Sequence, residues 1–90
     1  MQLLNNAAAT GSGTAWTGGT GVFAASGTFN GATVKLQFLG PDGSTWIDVG
    51  TDTNLAAAGG ALFILPAVQI RAAITGGPPS GMFASAEQVV

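Results

Sequence analysis

Regular alternation of apolar and polar residues predicts two β-strands, over residues 33–38 and 68–74. Side chains on a strand point alternately to its two faces, so each segment has one face for the core and one for solvent. The inward positions are Val34, Leu36, Phe38, Val68, Ile70, Ala72 and Ile74. Lys35 and Arg71, the only basic residues, fall on the outward faces. There we expect them to promote solubility and to protect sheet edges.

Two turn sequences flank the first of these strands. Asn30-Gly31 is a strong tight-turn signal at its start. Residues 40–44 follow its end and read Gly-Pro-Asp-Gly-Ser. Proline suits the second position of a type I turn, aspartate the third, and the next glycine supplies a left-handed residue. This segment therefore predicts a hairpin into a strand over residues 45–49.

Alternation in residues 45–49 permits two orientations. Either Ile47 and Val49 face the core, or Trp46 does and a bulge shifts the register. Both alternatives remain open from the sequence.

Three further segments complete the predicted strands. Residues 22–29 carry Phe23, Ala25 and Phe29 on one side. Residues 61–65 are a continuous apolar run, as is typical of a strand covered on both faces, and Pro66 ends it. After a Gly/Pro-rich break, residues 82–87 form the last predicted strand.

Residues 1–20 are small, polar and rich in Gly and Thr, apart from Leu3, Leu4 and Trp16. We interpret them as an N-terminal arm or irregular segment ordered by neighbours. Residues 21–90 are the predicted domain. Six to eight short strands with turns between them and no helices indicate an all-β fold, a small antiparallel β-sandwich. The sequence leaves Ig-like and jelly-roll-like topologies both open.

Composition points to a chain that works in contact with other chains. It is 47% hydrophobic but only 7% charged over 90 residues, against about 25% charged in ordinary globular proteins. A domain this small has a marginal core, and oligomerisation is one common remedy. The chain has no Cys and no His, so we expect neither a disulfide nor a zinc site to stabilise it. We therefore expect much of its surface to be covered by copies of itself or by a larger assembly.

The residue types that carry most enzyme chemistry are absent or rare. The chain has no Cys, His or Tyr, so we predict no enzyme, no catalytic residue, no cofactor and no metal. Four isolated carboxylates remain, of which Asp48 and Asp52 lie close enough to lend oxygens to Ca²⁺ but form no dense cluster. Two basic residues give no footprint for nucleic acid or for an anionic membrane.

The tryptophans are the main candidates for a recognition surface. An exposed Trp16 or Trp46 could stack on a sugar, whereas a buried one would anchor the core or an interface. The candidate contacts with other subunits or with a larger assembly are Leu3, Leu4, Trp16 and Trp46.

Residues 27–37, 41–50 and 65–72 together resemble small proteins encoded among the structural genes of tailed bacteriophages. The shared pattern is a Gly-x-Phe-x-Gly-Ala-x-Val strand, a Pro-Asp-Gly hairpin, a Trp-x-x-Val strand and a Pro…Ile-Arg-Ala strand. The likeness covers about the last two-thirds of the chain and contains no catalytic motif. Residues 1–20 have no counterpart in it.

Such proteins look most like capsid decoration, or cement, proteins. The resemblance implies a virion structural protein, made in the bacterial cytoplasm, that binds the outside of the capsid. Its expected partners are the major capsid protein and copies of itself, with a trimer favoured, and neither nucleic acid nor a membrane. The alternative is a carbohydrate-binding β-sandwich of a phage head or tail fibre. A neck, tail-tube or baseplate component is a third, also structural, option.

Overall fold

The computed structural model describes residues 1–89, which fold into nine β-strands; Val90, the last residue of the predicted domain, lies outside them. The strands are β1 (Gln2–Ala7), β2 (Thr14–Trp16), β3 (Gly19–Thr28), β4 (Thr33–Leu39), β5 (Trp46–Asp48), β6 (Asn54–Leu55), β7 (Gly59–Leu65), β8 (Val68–Thr75) and β9 (Ser80–Gln88). One 3-10 turn, Thr51–Thr53, separates β5 from β6. The predicted all-β class is confirmed.

The strands form two antiparallel sheets. Sheet A has the order β1-β9-β3-β7, and sheet B has the order β2-β8-β4-β5, with β6 also pairing β4. β5 and β6 both pair with β4, so together they occupy one interrupted strand position in sheet B. The two sheets therefore contain eight strand positions in all. The two N-terminal strands pair with the two C-terminal strands: β1 with β9, and β2 with β8. This nested pairing is the jelly-roll topology, one of the two left open by the sequence.

A single apolar core fills the space between the sheets. Phe23 and Met82 of sheet A meet Val34, Leu36 and Ile70 of sheet B there, and all five are completely buried. The alternation predicted for β4 and β8 is confirmed, because their inward residues pack in this core. Lys35 and Arg71 lie outward as predicted. Their strands, however, are interior strands of sheet B, so the expected edge-protecting role was wrong.

Both predicted turns are present. Asn30 and Gly31 have positive φ values of 50° and 82°, and the Ala32 amide donates to the Phe29 carbonyl at 2.8 Å, which closes the predicted tight turn. It joins β3 of sheet A to β4 of sheet B, so it is not a hairpin. In the β4–β5 connection the Gly43 amide donates to the Gly40 carbonyl at 3.0 Å, which closes the expected turn around Pro41 and Asp42. Gly43 has φ 76°, the left-handed conformation that favours glycine.

Asp42 holds this turn together through its carboxylate. The Thr45 hydroxyl donates to it, as do the backbone amides of Ser44 at 3.0 Å and Thr45 at 2.9 Å. These donors lower the pKa of Asp42 from 3.8 to about 2, with the Thr45 hydroxyl the largest cause. Hydrogen bonds to the charged form stabilise that form.

We expect Asp42→Ala to lower the melting temperature at pH 7. Because the folded-state pKa is depressed, the stabilisation by Asp42 is complete above about pH 4 and is lost as the pH falls towards about 2. The gap between wild type and variant should therefore close over that interval in thermal unfolding followed by circular dichroism. A gap of equal size at pH 7 and at pH 2 would contradict this origin. The difference between variant and wild type at each pH isolates the contribution of Asp42.

The first 20 residues do not form an arm or irregular segment, contrary to the prediction. β1 is an edge strand of sheet A and β2 an edge strand of sheet B. The adjacent residues Leu3 and Leu4 are both buried, although strict alternation would send one of them outward. The register between β1 and β9 shifts between Gln2 and Leu4, and a bulge of this kind turns consecutive side chains inward.

β7 also differs from its prediction, because it is covered on one face only. Phe63 and Leu65 point into the core, while Leu62 and Ile64 are 67% and 76% exposed. β7 pairs only with β3 and is an edge strand of sheet A. Its sequence is that of a strand covered on both faces, but within one chain its outer face is open.

The structure decides the orientation of β5. Trp46 lies on the outer face of sheet B, across from Leu39, and Val49 packs against the core. Ile47 remains 37% exposed because β5 is a short edge strand. The alternative in which Trp46 faces the core was wrong.

Candidate functional site

The carboxylates do not assemble into a reactive or metal-binding cluster. Within residues 1–89, no three side chains of the types His, Cys, Asp and Glu gather where they could hold a metal ion. Asp42 is engaged in its turn, and Asp48 accepts a hydrogen bond from Gln37. The same part of the chain has no helix long and apolar enough to span a membrane.

Three of the four predicted contact residues lie inside the protein. Leu3, Leu4 and Trp16 are 7%, 3% and 3% exposed and belong to the chain's own core. As surface contacts for a neighbouring subunit they were wrong. Trp16 packs against Phe63 across the two sheets, with ring centroids 5.0 Å apart and planes tilted by 52°. Trp16 therefore stabilises the sandwich, and its buried ring cannot stack on a sugar.

Trp46, the fourth predicted contact, belongs to a polar cluster on the outer face of sheet B. Arg71 Cζ lies 4.5 Å from the centre of the indole, a cation–π arrangement. The Arg71 Nε donates to Gln37 Oε1 at 2.9 Å, and Gln37 Nε2 donates to Asp48 Oδ1 at 2.8 Å. Lys35 Nζ lies 3.8 Å from Asp48 Oδ2. The two basic residues, one aspartate and one tryptophan thus share one face.

The members of this cluster are paired with one another through two hydrogen bonds, one ion pair and one cation–π contact. The Arg71 guanidinium covers the Trp46 ring, and a Cβ at Gly13 would lie 2.9 Å from the ring edge, so the backbone also abuts it. Trp46 is half-buried as a result. The outer face of sheet B is a hydrogen-bonded, charged surface that suits contact with water.

The outer face of sheet A has the opposite character. It presents the outward residues of β9, β3 and β7, including three of the large apolar side chains that the chain leaves exposed: Leu62, Ile64 and Phe83. Val22 lies between Leu62 and Glu87 in the strand register. Glu87 is the only charged side chain in the four strands of this sheet. Leu62 and Ile64 are neighbours on one strand and form an exposed apolar patch of the kind that marks interaction sites. Phe83 lies two register rows away, opposite Ser26.

A hollow of about 230 Å³ opens on the same face, where β1, β9 and β3 lie side by side. Small side chains produce it, since Ala24, Ser26 and Ser85 stand on neighbouring strands where bulkier residues would fill the space. Phe83 forms one wall, and Gln2 of β1 forms another. The face therefore combines a ridge, Leu62 with Ile64, and a depression.

This face is the candidate functional surface. None of its exposed residues is among the contacts predicted from the sequence. A signal for it was present, because the unbroken apolar run of β7 predicted cover on both faces. The pattern of apolar and polar residues does not show which of these side chains are buried by the chain itself. That depends on β7 being an edge strand with a single sheet behind it.

Comparison with known proteins adds no relative: no protein-family model, curated protein or solved structure matches this chain. The features that bear on function are therefore the sequence pattern and the geometry of the two outer faces.

Proposed function

We propose that this protein is a virion structural protein of a tailed bacteriophage that binds the outside of the capsid as a decoration, or cement, protein. In this proposal the chain acts as a homo-oligomer, contacts the major capsid protein and stabilises the shell by covering surface. It performs no chemical reaction and needs no cofactor.

The observation that carries the proposal is the contrast between the two outer faces. Sheet A exposes Leu62, Ile64 and Phe83 and a hollow lined mostly by small residues, whereas sheet B exposes an ion-paired polar network. Such a molecule has one side suited to protein contact and one suited to solvent. Many copies on a repetitive shell bind by avidity, so each contact can be modest.

Topology supports the proposal only in a general way. Jelly rolls occur in viral capsid domains, but also in lectins and cupins, and a fold alone does not define a function. The resemblance of residues 27–37, 41–50 and 65–72 to phage structural proteins is what selects the virion among these settings.

A capsid-binding experiment tests the proposal directly. Capsids of the encoding phage, assembled without this chain, would be mixed with purified protein before and after expansion of the shell. We expect co-sedimentation with expanded capsids, saturation at a fixed ratio to the major capsid protein, and a higher temperature of capsid disruption. Absence of binding to both capsid forms would reject the proposal.

The carbohydrate-binding alternative now depends on Trp46 alone, because Trp16 is buried. A sugar would have to displace Arg71 from the indole face, or use its remaining edge. A glycan array probed with labelled protein separates the two functions: binding that is lost in Trp46→Ala would favour the lectin-like alternative over capsid decoration.

A further inference from the structure

We infer that the free edge of β7 is a strand-addition site, which binds an extended and largely apolar segment of a different protein. The site is the edge of sheet A and not its outer face. It adds a mode of partner binding to the proposed function, and it holds whether or not the partner is a capsid protein.

The two sheets have four edge positions, and three of them are protected against pairing with another chain. β1 pairs with β9 through two register shifts. β2 has only three residues, and the position shared by β5 and β6 is interrupted by the 3-10 turn. Short strands, bulges and charges are the usual protection of an edge. β7 has none of these features, because its seven uncharged residues pair with β3 in unbroken register.

The backbone groups of β7 alternate in direction. In an antiparallel pair, every second residue directs its N–H and C=O to the partner strand, and the residues between direct theirs away. The Thr20 carbonyl accepts a hydrogen bond from the Val89 amide at 3.1 Å, so the Thr20 backbone faces β9 and not β7. Ile64 lies opposite Thr20, and its backbone groups therefore point out of the sheet. By alternation, those of Leu62 and Gly60 do the same.

These outward groups are unpaired within residues 1–89. The hydrogen bonds of β7 in this part of the chain run to β3, and no side chain or loop bonds to its other edge. The 3-10 turn Thr51–Thr53 lies beside β7 without a hydrogen bond to it. Each of the three outward residues thus offers one donor and one acceptor, which an added strand uses in recognition of this type.

The side chains of β7 define the chemistry of the added segment. Leu62 and Ile64 are 67% and 76% exposed, and residues directly opposite on a paired strand have their Cβ atoms about 5 Å away. Apolar residues at alternate positions of the segment therefore cover both side chains. The only charged side chain in the strands of sheet A, Glu87, is on β9, with β3 between it and β7. A charged segment would find no ionic partner there, so an uncharged one fits better.

A second copy of β7 fits this edge less well than a foreign segment does. Antiparallel pairing centred on Leu62 puts Gly60 opposite Ile64, which leaves the more exposed of the two apolar side chains without cover. Pairing centred on Phe63 covers both, but it places Pro66, which has no N–H, opposite Gly60. Every other strand in the described part of the chain already has its partner in the two sheets. The donor is therefore a different protein.

Amide exchange measured by NMR tests the free edge itself. In dilute protein, we expect the Leu62 and Ile64 amides to exchange at least about 10-fold faster than those of Ala61 and Phe63, which bond to β3. Protection of Leu62 and Ile64 that grows with protein concentration would show a second copy on the edge and overturn the inference. Protection that is independent of concentration would show that the chain covers its own edge, and would overturn it as well.

A neutral peptide of sequence Thr-Val-Thr-Val-Thr-Val-Thr with blocked ends is the probe for strand addition. We expect saturable binding that slows exchange of the Leu62 and Ile64 amides by at least about 10-fold. The control peptide carries a methyl group on every backbone nitrogen, so it keeps the side chains but loses the donors, and it should not bind. Absence of saturable binding by the unmodified peptide below about 1 mM, or equal binding by both peptides, would overturn the inference.

Leu62→Pro tests the same edge from the side of the protein. Proline is tolerated in an edge strand where the N–H faces solvent, so cooperative unfolding should be retained. Loss of one outward donor should weaken peptide binding by at least about 10-fold. The matched control Leu62→Val keeps the N–H and an apolar side chain, and its dissociation constant should stay within about threefold of wild type. Equal binding by the two folded variants contradicts strand addition; if Leu62→Pro does not fold, the comparison of the two peptides decides.

The outcomes separate this site from the proposed function. Peptide binding that requires the backbone donors supports the strand-addition site even if capsids do not bind the protein, in which case only the proposed function fails. If the peptide does not bind and capsids bind wild type and Leu62→Pro alike, the inference is overturned and the proposed function stands.

Discussion

Trp16→Ala should lower the free energy of unfolding by about 3 to 5 kcal/mol, the usual cost of removing a large buried aromatic side chain. Trp16 is 3% exposed, and its ring joins β2 of sheet B to Phe63 of sheet A. A domain of this length has a total stability of about 5 to 13 kcal/mol. The variant should therefore retain about 0 to 10 kcal/mol, and the midpoint of its urea transition should fall in proportion to the loss.

Trp16→Phe is the matched variant that distinguishes packing from hydrogen bonding. The indole Nε1 is buried, and no group in residues 1–89 accepts its hydrogen bond. An unpaired buried donor costs about 1 to 3 kcal/mol, so replacement by Phe removes that cost while retaining much of the aromatic contact. We expect a loss below about 1.5 kcal/mol, typical of conservative changes in a core. A variant as unstable as Trp16→Ala would contradict this account of the site.

The second large effect is expected at Gly21, where the space beside β3 is full. A Cβ there would lie 2.7 Å from Trp16 Cη2, and 2.9 Å from both Phe63 Cζ and the Glu87 carbonyl oxygen. Two of these neighbours are packed rings and the third is backbone, so none can move easily. Gly21→Ala should cost about 1 to 3 kcal/mol, as overpacking does.

Gly59→Ala provides the control for Gly21→Ala. Gly59 opens β7, and the closest atom to an added Cβ is the Ala57 carbonyl oxygen at 3.9 Å, an ordinary contact. The change should be neutral or stabilising by up to about 1 kcal/mol, because alanine restricts the unfolded chain. Equal losses at the two glycines in urea unfolding would mean that crowding around Trp16 is not the reason for the loss at Gly21.

Local patterns in the sequence determined the strands β4 and β8 and the connections around them. Val34, Leu36 and Ile70 alternate with polar residues. When one face of a strand is buried, such alternation specifies which side chains face the core. The β4–β5 turn was equally well specified, because Pro41 and Gly43 restrict the backbone to one turn type. These features depend on neighbours in the chain, so they could be predicted from it.

The N-terminal strands could not be predicted in this way. β1 pairs with β9 and β2 with β8, across almost the whole length of the chain. Their composition, small and polar, is typical of a loop, and the adjacent pair Leu3 and Leu4 fits a strand only where a bulge turns both inward. β1 and β2 become strands by pairing with strands that are distant in the sequence. A short segment of sequence does not include those partners, so it does not predict these strands.

The sequence by itself therefore determined an all-β sandwich and its central strands. Only the tertiary structure decided the jelly-roll order, the burial of Trp16 and the exposure of Leu62 and Ile64. The physical reason is that alternation reports which side chains need cover, whereas the pairing of distant strands decides which of them a single chain can cover.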